Sequence, residues 1–200
     1  MRTLIFAVTA LLAAAGAAQD GQSAQQLFEE GQYEPALRAL NERRESGGSD
    51  PADRFLAAQV QLRLSRSEQA KQEVEPLTAD SDTTWGPIGE SVQALIDGDT
   101  QRALDRATQA ATASPDHFYA QYQLGLVKAR REDWAGAAQA FDRASRIDRN
   151  FAYAFYYAGF SYSRVQRADL TVENFERFLK LAPKAPERLA VESILRVLRG

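Results

Sequence analysis

His117 is the one histidine in the 200-residue chain, and there is no cysteine. A Ser-His-Asp relay would have to be built on that imidazole. It stands beside Asp116 at a helix entrance with no nucleophile motif near it, so it reads as a surface or capping side chain. Asp80-Ser81-Asp82 and Asp97-Gly98-Asp99 each bring two carboxylates together in a turn, which is how a calcium loop begins. The further oxygen ligands of such a loop do not follow, and helix caps in solvated turns are the better reading. No glycine loop is arranged to cradle a phosphate, and no His or Cys cluster has the spacing of a zinc site. No cofactor, no metal and no enzyme activity are expected.

One pattern does carry information. Trp85, Tyr119 and Tyr153 stand 34 residues apart, and each opens a helical stripe: Trp85, Ile88, Val92; Tyr119, Tyr122, Leu126; Tyr153, Tyr156, Phe160. Offsets of three and seven keep each set on one helix face. Eleven residues beyond the two leading tyrosines come Arg130 and Arg164, again 34 apart. Aromatic walls with a row of arginines offer large contact area and forked donors, which suits a protein or peptide partner carrying acidic residues. The candidate binding residues are therefore Trp85, Tyr119, Tyr122, Arg130, Tyr153, Tyr156, Phe160 and Arg164. Such a stripe also suits core packing between neighbouring helices, and helical spacing alone does not separate the two.

The elements that would hold this column repeat along the chain. The small residues Ala36, Ala70, Ala103, Ala137 and then Thr171 recur at spacings of 34, 33, 34 and 34. They define five units, about 19–48, 50–83, 84–116, 117–150 and 151–184. Apolar residues fall at intervals of three and four within each unit, and Ala, Leu, Gln, Glu and Arg outweigh Val and Ile, which argues for two helices per unit. Asp50-Pro51 and Ser114-Pro115-Asp116 mark helix starts; Asp99 and Asp133, each four residues before the small alanine, are placed to cap second helices. Turns containing Gly31, Gly98 or Glu132-Asp133 are short enough to make the two helices antiparallel neighbours. After Pro183 and Pro186, residues 187–200 carry Leu189, Val191, Ile194, Leu195 and Leu198, which would cap the exposed apolar end of the stack.

These residues resemble the tetratricopeptide repeat family. The fifth unit matches with Phe155, Ala158-Gly159, Tyr162, Phe175 and Pro183, and the fourth with Leu124-Gly125, Ala137, Phe141, Ala144 and Ile147-Asp148. The first unit keeps Gly31-Gln32-Tyr33 and Ala36. Gln121 and Lys128 depart from the pattern in the fourth unit, Thr171 and Phe178 in the fifth, and the second and third units lack the Leu-Gly pair. The resemblance spans roughly residues 23 to 184. It implies an all-α, right-handed α-solenoid of about five helical hairpins with a C-terminal capping helix, in which first-helix positions such as Tyr119 and Tyr153 line a concave groove. Five repeats are expected to form an arc, not a closed ring. Phe155, Tyr162, Phe141, Phe175 and Phe178 are expected in the core. The Lys and Asn clamp with which some members hold a peptide carboxylate is not reproduced.

Residues 1–18 read as a secretory signal: Arg2 gives the positive start, Leu4 to Ala15 the apolar stretch, and Gly16-Ala17-Ala18 the small residues for cleavage. Cleavage near Ala18 removes Arg2 and takes the net charge from −3 to −4. Charges of both signs are mixed along the length, which argues against nucleic acid as partner. Export without cysteine points to a bacterial periplasm, with secretion as the alternative, and no stable membrane insertion after cleavage. The function this predicts is a non-catalytic adaptor or scaffold of the cell envelope holding a partner in the concave groove. The alternative is a self-associating structural protein, a homo-oligomer joined through the C-terminal helix.

Overall fold

The computed structural model describes residues 22–48, 50–79 and 82–200. The leader read at residues 1–18 lies outside them, as do Asp80 and Ser81 of the first acidic turn.

Eleven helices and no strands occur among the described residues. Five pairs follow one another: α1 (Ala24–Glu29) with α2 (Tyr33–Glu45), α3 (Pro51–Arg63) with α4 (Ser67–Thr78), α5 (Trp85–Ile96) with α6 (Thr100–Ala113), α7 (Phe118–Arg130) with α8 (Trp134–Ile147), and α9 (Ala152–Arg164) with α10 (Ala168–Leu181). α11 (Arg188–Arg199) packs on α10.

Local sequence explains where the helices start. Ser23 and Gln26 form a reciprocal capping box on α1, and Asp50 accepts from Ala52 N ahead of Pro51 at the head of α3. Asp99 caps α6 and Asp133 caps α8, each carboxylate accepting the backbone N–H three residues on. His117 is the cap of α7: its Nδ1 accepts from Ala120 N at 3.3 Å, and burial holds its pKa below the ordinary histidine value. Asp82 accepts from Thr84 N and Trp85 N at the head of α5, and those two bonds hold its carboxyl below the usual range.

The turn inside each pair places one residue in the left-handed region: Gly31, Ser65, Gly98, Glu132 and Gln166, with φ of 76, 59, 81, 62 and 59°. The 34-residue period therefore governs backbone conformation as well as side-chain type. Where a glycine stands this costs nothing, whereas the three other residues carry a modest strain.

Small residues let helices approach. Ala36, Ala70, Ala103, Ala137 and Thr171 are all fully buried. A methyl group added at Gly125 would sit 2.7 Å from the Phe141 ring, and one at Gly159 2.6 Å from Phe175, so each glycine exists to seat the phenylalanine of its own second helix. Phe141, Phe175 and Phe178 are core residues as expected, but Phe155 and Tyr162 are half-buried. Phe155 lies under Arg177 in a groove of the outer face, and the Tyr162 hydroxyl reaches Asp142.

The expected open arc is not found. The first pair meets the last: Phe28 packs against Tyr153 with ring centroids 5.1 Å apart, Gln25 donates to Asn150 O, and Glu29 accepts from Ala152 N at 2.7 Å. The reason lies in side-chain size. The inward positions of α1, α3, α7 and α9 carry Phe28, Phe55, Tyr122, Tyr153 and Tyr157, rings large enough to bridge the interior, so the coil tightens until its ends touch and buries all of them but the half-buried Tyr157.

Candidate protein-binding site

The inner side of the first helices is divided into a filled part and an open part. Phe55 of α3 meets Tyr119 and Tyr122 of α7 at centroid distances of 5.2 and 6.3 Å, and Tyr122 meets Tyr157 of α9 at 6.1 Å. Arg63, at the end of α3, lies 4.7 Å over the Tyr153 ring and donates from Nη2 to the Tyr157 hydroxyl at 3.2 Å. Burial pushes the phenols of Tyr122, Tyr153 and Tyr157 upward, so they stay neutral hydrogen-bonding groups.

Where the helices diverge toward their C-terminal ends the interior opens into a cavity of about 330 Å³. Its walls are apolar, from Leu62 of α3, Val92, Leu95 and Ile96 of α5, and Leu126 and Ala129 of α7. Four polar side chains punctuate them: Gln59, Gln123, Tyr157 and, at the rim, the exposed Arg130. Gln123 is only 1% exposed. Its Nε2 donates to Ser91 Oγ at 3.0 Å, but its buried Oε1 meets no donor among the described residues. An unpaired buried acceptor costs about 1–3 kcal/mol.

The eight sequence candidates are thus split up. Tyr122 and Tyr153 are 1% and 0% exposed and belong to the interior, where they serve packing instead of presenting a surface. Trp85 and Tyr119 are half-buried at the opposite end of the helices, in tilted and edge-on contact with each other and with His117. Burial pushes the Tyr119 phenol up to about 12. Tyr156 packs on Phe175 and Phe178 of α10. Phe160 and Arg164 are exposed but lie against Trp134 of α8, Arg164 at 5.0 Å over its ring. Arg130 alone lines the cavity. Sequence reasoning missed Gln123 and Tyr157, which are also 34 apart, four residues after Tyr119 and Tyr153. The same period would have found them had the adjacent inward row been followed.

Among the described residues no group of three or more His, Cys, Asp or Glu is placed to hold a metal, and no helix is long and apolar enough to cross a membrane.

Comparison with known proteins agrees with this architecture. The family model for anaphase-promoting complex, cyclosome, subunit 3 matches residues 1–76. No curated protein matches the chain. Among solved structures, TTC0263, a thermophilic tetratricopeptide-repeat protein of Thermus thermophilus, is 21% identical with a TM-score of 0.62, over 86% of this chain and 95% of that one. YrrB, described as a tetratricopeptide-repeat protein with an unusual peptide-binding site, is 18% identical with a TM-score of 0.53, over 93% of this chain and all of that one. The first such domain of Spaghetti (RPAP3), bound to an HSP90 peptide, is 20% identical with a TM-score of 0.56, over 60% of this chain and 97% of that one. Fold and period together give this chain the helical-hairpin solenoid fold of tetratricopeptide-repeat proteins.

Proposed function

We propose that the chain is a non-catalytic protein-binding scaffold of the bacterial cell envelope, exported and cleaved near Ala18, which takes a segment of a partner protein into the inner cavity. The cavity is the observation that carries this reading: apolar walls from three successive repeats, an unpaired acceptor on Gln123 and an exposed cation at Arg130. A partner segment with an apolar anchor between Leu62, Leu95 and Leu126, and an acidic residue beside Arg130, fits that lining. The peptide-bound and peptide-binding proteins of the same fold lend analogy, not identity.

Crosslinked capture from a bacterial envelope extract, repeated with Leu126→Asp and with Arg130→Glu, tests the site. Both substitutions should lower capture of the same partner about tenfold or more while the melting temperature moves by only a few degrees. Capture indifferent to both would place binding elsewhere. The mass of the mature N-terminus and cell fractionation test the export reading.

Self-association is favoured by one observation, the outer stripe of α11, on which Leu189 and Val197 are 76% and 80% exposed. Light scattering on the purified chain distinguishes this: a monomer at high concentration removes it.

A further inference from the structure

Ala182 to Glu187 connect α10 to α11 without joining either helix, and this short segment reaches across the seam to the first two repeats. Lys184 pairs with Glu30, and Pro186 lies so close to Gly31 that a methyl group there would come within 2.6 Å of its Cγ. Ala185 is buried. Glu187 then turns its carboxylate inward, and both oxygens are taken: Oε1 accepts from Arg63 Nη1 at 2.8 Å, and Oε2 accepts from the Tyr153 hydroxyl at 2.9 Å. Arg63 comes from the second repeat and Tyr153 from the fifth. The second guanidinium nitrogen of Arg63 is held by Tyr157 and its face by the Tyr153 ring.

This is the construction of a carboxylate-binding site. A guanidinium and a phenol, oriented by further aromatic contacts, converge on one anion carried by a tightly turned Ala-Pro-containing connector. A largely desolvated arginine is costly without an anion beside it, so the site demands a carboxylate whichever chain supplies it. The connector can separate from the first two repeats while α11 stays in place, because α11 is anchored on α10 through Val191 and Leu195 and is tied to Glu187 only by the capping bond from Val191 N to Glu187 O.

We infer that Arg63, Tyr153 and Tyr157 form a binding site for a partner peptide bearing a glutamate side chain, and that Glu187 occupies this site in cis. The inference rests on the proposed role as a protein-binding scaffold and names a second contact on its partner, next to the cavity. Partner binding then proceeds by exchange: the incoming carboxylate replaces Glu187 on Arg63 and Tyr153, and the 182–187 segment leaves Gly31 and Glu30. Partners without an acid at the matching place meet an occupied site.

The chain supplies its own probe. A fluorescent, acetylated and amidated peptide Ala-Pro-Lys-Ala-Pro-Glu-Arg, the sequence of residues 182–188, is titrated into the full chain and followed by anisotropy. The Glu187→Gln chain should bind it at least about tenfold more tightly than the wild-type chain, with Glu187→Asp between them, and the same peptide with glutamine for glutamate should not bind. Adding Arg63→Gln to Glu187→Gln should abolish binding. Should Glu187→Gln fail the circular-dichroism check for folding, Glu187→Asp keeps the charge and carries the same test against wild type. Equal affinity of folded variant and wild type, or indifference to the peptide's glutamate, overturns the inference. If that happens while Leu126→Asp still reduces partner capture, only this second contact falls; if capture is also unaffected, the scaffold reading falls with it.

Discussion

The stack of the fourth and fifth repeats and the seam where the first repeat meets the fifth are built from different materials. In the stack, Gly125 seats Phe141 and Gly159 seats Phe175, with ring packing from Tyr157 and Tyr156, and the charged contacts, Tyr162 with Asp142 and Arg164 over Trp134, stay outside that buried layer. At the seam, the ring contact of Phe28 with Tyr153 is surrounded by Gln25, Glu29, Glu30, Lys184, Arg63 and Glu187, all polar and all but Gln25 ionisable. Apolar interdigitation gives the stack a stability that hardly depends on solution conditions. The seam holds through directional bonds whose strength follows protonation and competition from other anions, which makes it the place where the molecule can respond.

The largest effect should come from the stack. Phe175→Ala empties a fully buried ring site and should cost about 3–5 kcal/mol, read as a lower denaturation midpoint whose size is the same at pH 5 and pH 8.

Glu29 should give the seam the opposite behaviour. It is 4% exposed, and burial pushes its carboxyl up to about 7 despite the opposing bonds from Ala152 N and Gln25, with Asp148 adding to the rise. A carboxyl raised in the folded state binds its proton more tightly there than in the unfolded chain. Its contribution is therefore fully favourable below the ordinary value of 4.5, declines as pH rises, and is lost above about 7. Wild-type stability should fall by up to about 3 kcal/mol over that window. Glu29→Gln, whose amide oxygen can still accept from Ala152 N, should flatten the profile and be the more stable form at pH 8; an unchanged slope would show that Glu29 does not report on the seam.

A smaller loss is expected from Arg63→Met, which leaves the Glu187 carboxylate with Tyr153 alone. Both partners keep some access to water, so about 2 kcal/mol is expected, accompanied by faster proteolysis within 182–187 and a larger radius of gyration in small-angle scattering. The smallest effect runs the other way: Gln166→Gly relieves a left-handed turn and should stabilise by about 0.5–1 kcal/mol, in a thermal melt, without touching the seam.

The stack was legible because its determinants are local and periodic. Ala137, Gly125 and Phe141 recur one repeat later as Thr171, Gly159 and Phe175, and a 34-residue comparison finds them. The turn residues Ser65, Glu132 and Gln166 obey the same period, though nothing in their chemistry announces a left-handed backbone. The seam was not legible. Glu29 and Ala152, or Arg63 and Glu187, are far apart in sequence and belong to no repeated set, so only the curvature of the folded coil brings them together. For the same reason the aromatic column could be placed on the inner side but not divided between interior and surface: the bridging by Phe28 and Phe55, which decides that Tyr122 and Tyr153 are covered, is a property of the closed coil.

Closure also changes how the molecule should unfold. An open repeat array behaves like a zipper, fraying from its ends and melting over a broad range as nearest-neighbour contacts are lost in turn. Here the two would-be fraying ends hold each other through a bond spanning 123 residues, so neither terminus can peel away without first breaking that distant contact. The outer repeats should lose their structure together, in one sharp cooperative transition, and only a chain with its ends unclasped should melt piecemeal.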